Sequence, residues 1–163
     1  MPCCGIYALA ELSGRSLQFV FNWYKERYDR PDNWQGRTYE PHIFGEALKR
    51  FGLKKKRTLC HRLSKKITVR KFVDEHTAKG KTYLLMTGGH FLVIKGGRDE
   101  AICIDQGARC SVDDYYGKNY RVRRAVQIGG RRSNYLTRLR KVGSTAKGTS
   151  LGPCIAITAV TAL

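Results

Sequence analysis

Acidic side chains are scarce in this sequence. Thirteen Asp and Glu stand against 31 Lys and Arg in 163 residues, a formal net charge of +18. Such a surplus repels cationic partners and draws phosphate, nucleic acid or an acidic protein surface, and it says nothing about fold. Long apolar runs are missing too. No stretch reaches the roughly 20 apolar residues that a bilayer-crossing helix needs, so no membrane partner is expected. The N-terminus has no basic stretch followed by an apolar segment and a cleavage site. The six cysteines are therefore expected as thiols in a cytoplasm. Neither a CxxC pair nor an HxxxH occurs, and adjacent Cys60 and His61 are a poor pair for one ion. No metal and no other cofactor is expected. Internal repeats are absent as well.

The chain is 42% hydrophobic, enough for a buried core, and its length suits one domain of ordinary size. Residues 4–13 predict a short helix with Ile6, Leu9 and Ala10 on one face and Gly14 as its stop. Ser16 is placed to cap a second helix whose buried stripe is Leu17, Val20, Phe21 and Tyr24. Residues 30–41 are rich in turn formers. A third helix is expected from Pro41, with Gly52 beyond its end. Residues 54–63 predict a strand, and residues 68–80 a fourth helix capped by Thr68 and closed by Gly80. Then come three short apolar runs separated by glycines, 81–88, 90–97 and 101–107, which predict antiparallel strands joined by tight turns. Residues 120–128 alternate and predict one more. Helices first and a strand meander after them define an α+β domain over residues 1–128, with helices packed on an antiparallel sheet. Residues 129–163 read as a basic linker followed by an apolar, β-prone tail, CIAITAVTAL. That tail is expected to be covered, by its own sheet or by a protein partner in an assembly.

Three residues fall at informative places. Cys4 starts a helix, where free N–H groups and the positive dipole end stabilise a thiolate. His90 opens an apolar strand after two glycines, and histidine accepts a thiol proton near neutral pH. Asp105 ends the next strand, where a carboxylate can hold the imidazole in one tautomer. Their separation of 15 positions lets a hairpin bring His90 and Asp105 to one end of the sheet. Each has a plain alternative. Cysteine and histidine also serve as buried core residues, and Asp before Gln106-Gly107 also suits a turn. Cys3 is expected to pack, and His42, His61 and His76 to lie on the surface.

The blocks CCGIYALAELSG, GGHFLVIKGG and ICIDQG, in that order, resemble the papain-like cysteine peptidases, and among them the C39-like branch. KTYLLMTGGH matches the family strand that leads into the histidine. YRVRRAVQI stands where small phage-encoded members of the group carry an arginine-rich strand. The resemblance covers roughly residues 3–106. It implies a papain-like fold, a peptide or protein substrate, and a triad of Cys4, His90 and Asp105. It also implies a glutamine shortly before the cysteine, to complete the oxyanion hole. Met1, Pro2 and Cys3 stand there instead. The Cys4 backbone N–H is expected as one oxyanion donor, with Gln35 or Asn33 from the long loop as candidates for the second.

Basic residues concentrate in two acid-free segments. Residues 49–71 carry eleven Lys or Arg, and ten more lie from Lys118 onward. Lys54, Lys55, Lys56, Arg57, Arg121, Arg123, Arg124, Arg131 and Arg132 are candidates for binding nucleic acid or an acidic partner, with Tyr120 and Tyr135 placed to stack on bases. Two functions follow as expectations. One is a cysteine hydrolase that cuts a peptide or isopeptide bond. The other is a papain-like scaffold of weak or no activity that serves in an assembly such as a phage particle. The expected location is the cytoplasm or a virion.

Overall fold

In the computed structural model, residues 3–58, 67–97 and 100–129 are described. Helix α1, Cys4–Ser13, buries Ile6 and Leu9, and ends where Gly14 takes a left-handed conformation and returns its N–H to Ala10. Helix α2, Leu17–Arg27, starts at Ser16, whose hydroxyl accepts the Phe19 N–H at 3.2 Å. Val20 and Tyr24 form its buried stripe, whereas Leu17, expected in it, is 37% exposed, since the first turn overhangs the core. The next helical segment is α3, Glu40–His42, a π-helical stretch, Ile43–Ala47, and α4, Leu48–Arg50. The π stretch turns Ile43, Phe44, Ala47 and Leu48 into the core.

Helix α5, Val69–His76, is capped by the Thr68 hydroxyl. It stops four residues short of Gly80, because Thr77 goes extended and turns its hydroxyl back on the Val73 carbonyl at 2.6 Å. Gly80 instead takes a positive φ in the turn that enters the sheet.

Six antiparallel strands make one sheet: β1 (Lys54–Thr58), β2 (Thr82–Met86), β3 (Phe91–Gly96), β4 (Ala101–Asp105), β5 (Ala108–Ser111) and β6 (Arg124–Gly129). Their order is β1-β6-β2-β3-β4-β5. The meander β2 to β4 matches expectation, and β5 extends it as a strand that its sequence, ARCS, does not announce. It forms because Gln106 and Gly107 both take positive φ, the two-residue turn that matches the twist of a hairpin. Strand β6 starts at Arg124 rather than Tyr120 and slots between β1 and β2.

Alternation along the strands fills two cores. Leu84, Val93, Ile104 and Val126 pack with α1, α2 and the π segment on one face. Leu85, Leu92, Cys103 and Ala125 pack with Val69, Phe72 and Val73 of α5 on the other. The domain is α+β, with helical segments against both faces of an antiparallel sheet. No helix among the described residues is long and apolar enough to cross a membrane. Residues 130–163, with the expected linker and tail, and His61 lie outside the described residues.

Candidate functional site

The site sits at one end of the sheet, where β2 turns into β3 and β4 stops. Gly89 takes φ +99 in the β2–β3 connection, and Thr87 N–H donates to the His90 carbonyl at 2.9 Å, closing the turn directly before β3. The β3–β4 register pairs Val93 with Ile104, which brings His90 beside the end of β4. There His90 Nε2 and Asp105 Oδ1 are 2.8 Å apart. Since Asp105 occupies Nε2, Nδ1 is the nitrogen left to act on Cys4, whose thiol lies near enough for the imidazole to lower its pKa. Helix α1 packs on β3 and β4 and so carries Cys4 to the imidazole. The three residues singled out in sequence meet at one place, His90 and Asp105 as a hydrogen-bonded pair and Cys4 beside the imidazole.

Charge in that group is strongly organised. The hydrogen bond to Asp105 is the main cause that raises the His90 pKa to about 10; the Cys4 hydrogen bond adds to it, and burial opposes it. Burial pushes the Cys4 thiol up, but hydrogen bonds from His90 and the Phe91 N–H, the His90 charge, and the Gly5 N–H outweigh it and bring the pKa below its ordinary value. Burial likewise works against the Asp105 carboxylate. Hydrogen bonds from His90, Tyr116 and Tyr115, with the His90 charge, hold its pKa below the usual range. Both the Cys4 and His90 shifts run in the direction of a thiolate beside an imidazolium.

Two tyrosines of the site are not legible in the sequence. Tyr115 and Tyr116 donate to Asp105 Oδ2 at 3.0 and 2.7 Å. Tyr115 is buried and Tyr116 is 68% exposed. Burial, with the Asp105 charge beside them, raises both phenols, Tyr116 to about 12, so both remain donors. Nothing in a YY pair within a turn-rich run signals this role. The only available hint is its distance of ten positions from Asp105.

The other wall is the loop before α3. Cys3 is buried as expected and its thiol donates to the Gln35 carbonyl at 3.0 Å. A Cβ on Gly36 would collide with Cys3 Sγ, and one on Gly5 would collide with the Thr38 hydroxyl. Glycine at these two places lets the loop close on the start of α1. Gln35 thus comes to the helix start through its backbone, while its side chain and that of Asn33 are exposed.

The basic candidates divide. Lys54, Lys55 and Lys56 are exposed on β1, at the edge of the sheet. Charges there also block edge-to-edge pairing, a purely structural use. Arg121 and Arg123 are exposed. Arg124 is a correction: Nη1 bonds Glu40 at 3.0 Å and the guanidinium lies 4.3 Å from the Phe44 ring centre, so it is committed to the fold. Arg131 and Arg132, with the side chain of Arg57, lie outside the described residues, as does Tyr135. Tyr120 is exposed and packs edge-on to Tyr116. His42 is also a correction, for it stacks flat on Tyr28 at 3.8 Å and bonds the Tyr24 hydroxyl at 3.0 Å. His76 is half-buried against Phe72. Among the described residues no cluster of three or more His, Cys, Asp or Glu is arranged to hold a metal ion. Compared with models of protein families and with curated proteins, the chain matches none.

Proposed function

We propose that this chain is a cysteine hydrolase with a papain-like, C39-like domain, and that it cuts a peptide or isopeptide bond. One observation carries the reading: Cys4, from a helix start, stands beside a hydrogen-bonded His90–Asp105 pair from two strand ends, and the pKa shifts run toward a thiolate beside an imidazolium. Cys4 adds to the carbonyl carbon of the scissile bond, and the carbonyl electron pair moves onto oxygen. The Cys4 backbone N–H, at the positive end of α1, donates to that oxyanion. The C–N bond then breaks as His90 Nδ1–H gives its proton to the leaving nitrogen. Water, losing a proton to His90, cleaves the resulting thioester and restores Cys4. Asp105 keeps His90 oriented throughout and stays ionised. The second oxyanion donor is assigned to the loop that closes on Cys3, with Gln35 the first candidate because its backbone already sits there.

Limiting iodoacetamide, applied across pH and mapped by mass spectrometry, tests this. Cys4 should label well below the pH at which a free thiol reacts, and His90→Ala should remove that advantage. Labelling of Cys4 no faster than that of Cys110 would refute it.

A second reading keeps the fold as a scaffold in an assembly, located in a virion, that binds nucleic acid or an acidic protein through its basic face. The exposed lysines of β1, which have no ion-pair partner among the described residues, favour it. DNA binding that weakens steeply with salt, by a Cys4→Ala chain as well as by the native one, is its expected signature.

A further inference from the structure

We infer that Arg123 is a substrate subsite, and that the hydrolase acts on chains carrying an acidic side chain about three residues from the bond it cuts. The inference rests on the hydrolase reading and adds the class of substrate. Arg123 and His90 bracket the tip of β2. On one side the Arg123 N–H donates to the Met86 carbonyl at 2.8 Å; on the other, Thr87 N–H donates to the His90 carbonyl. Adjacent strands lie about 4.8 Å apart, so two steps across the sheet put Arg123 about 10 Å from His90. An extended substrate advances about 3.3 Å per residue and covers that distance in about three.

Strand parity places Arg123 on the useful face. It stands two residues before Ala125, as His90 stands two before Leu92 and Asp105 two after Cys103, and those three strand residues lie in the same core. Its neighbour Arg124 has the opposite parity and is committed to Glu40 and Phe44. Arg123 is exposed, and among the described residues it has neither an acidic nor an aromatic partner. The acids that flank this end of the sheet are already engaged: Asp105 by His90 and two tyrosines, Glu40 by Arg124. Arg123 is thus left available to a carboxylate carried by another molecule. A guanidinium suits it because it stays charged and grips a carboxylate with two N–H groups.

The test measures second-order alkylation of Cys4 by matched reagents. Chloroacetyl-Gly-Gly-Glu-amide is compared with its Gln isostere, and Glu-Gly-Gly and Gln-Gly-Gly chloromethyl ketones probe the opposite chain direction. In one of the two series the Glu reagent should react about two- to fivefold faster at low salt, the size of an exposed ion pair. The preference should fade as salt rises. Arg123→Gln should bring the ratio to about one, and a ratio cancels any change in the reactivity of Cys4 itself. Lys79→Gln with Lys81→Gln, at the opposite end of β2, should leave the ratio in place. A native ratio near one in both series, a ratio that survives Arg123→Gln, or an equal loss with the distant pair would overturn the subsite. If Cys4 is inert even to iodoacetamide, the hydrolase reading fails and the subsite with it; a reactive Cys4 without discrimination fails the subsite alone.

Discussion

Removing one hydroxyl at a time from Asp105 separates two tyrosines that bind the same oxygen. Tyr115 and Tyr116 both donate to Oδ2, yet the first is 1% exposed and the second 68%. A hydrogen bond to a charged group is worth about 1.5–3 kcal/mol when nothing replaces it. In Tyr115→Phe nothing can, since water has no access to the vacated position. The expected loss of stability at pH 7 is about 2–3 kcal/mol. In Tyr116→Phe water takes over the donor role, and the expected loss is under about 1 kcal/mol. Low pH provides an internal check. The folded Asp105 pKa is depressed, so the stability its carboxylate contributes is present above the ordinary Asp value of about 3.9 and is lost as pH falls through the folded value. The gap between the two variants should therefore narrow as pH falls below the ordinary Asp value of about 3.9 toward the lower folded value. Urea unfolding followed by tryptophan fluorescence measures both. Equal losses at pH 7, or a gap that does not narrow in acid, would refute the placement of a buried, ionised Asp105 held by Tyr115.

Gly5→Ala should destabilise the fold by about 1–3 kcal/mol, because the added methyl collides with the Thr38 hydroxyl. In a Thr38→Ala background part of that loss should return, and thermal unfolding of the four chains reads the coupling. His90 gives a second pH window: with its folded pKa raised to about 10, its contribution is complete below the unfolded value of about 6.5 and is lost as pH rises through about 10. Asp105→Asn removes the main cause of the shift, so the His90 imidazole should titrate at lower pH in that variant by NMR.

Much of the candidate site was readable because its parts obey local rules. A cysteine at a helix start, a histidine after paired glycines and an acid at a strand end each declare a position. A hairpin then fixes the relation of the last two. The tyrosines escaped because their role depends on a turn-rich segment folding back over β4, which no period in the sequence encodes. The insertion of β6 between β1 and β2 was hidden for a similar reason, since register across a long connection is set by packing rather than by pattern. Strand β5 was missed through its turn: Gln106 at positive φ is an unusual choice where Asn or Asp would have signalled a hairpin. Arg124 misled because charge patterning cannot tell a cation lying over Phe44 from one in solvent.

The cost of the network bears on which reading of the protein is put first. Taking a carboxylate out of water costs several kcal/mol, and a well-packed apolar group of similar volume often does as well or better for stability. A scaffold has no need of a buried Asp105 with three donors, of a histidine held on it, or of a thiol pulled below its ordinary pKa against its own burial. A hydrolase needs all three, because each is the condition for the next: the tyrosines help keep Asp105 ionised, Asp105 keeps His90 charged and oriented, and His90 draws Cys4 toward the thiolate. The basic face does not compete with this assignment. On a chain of +18 it draws acidic molecules in by long-range attraction, while a single cation on the site's own rim selects among them at short range. Salt should therefore weaken capture by the whole molecule and discrimination at Arg123 together, whereas Arg123→Gln should abolish discrimination and leave most of the capture.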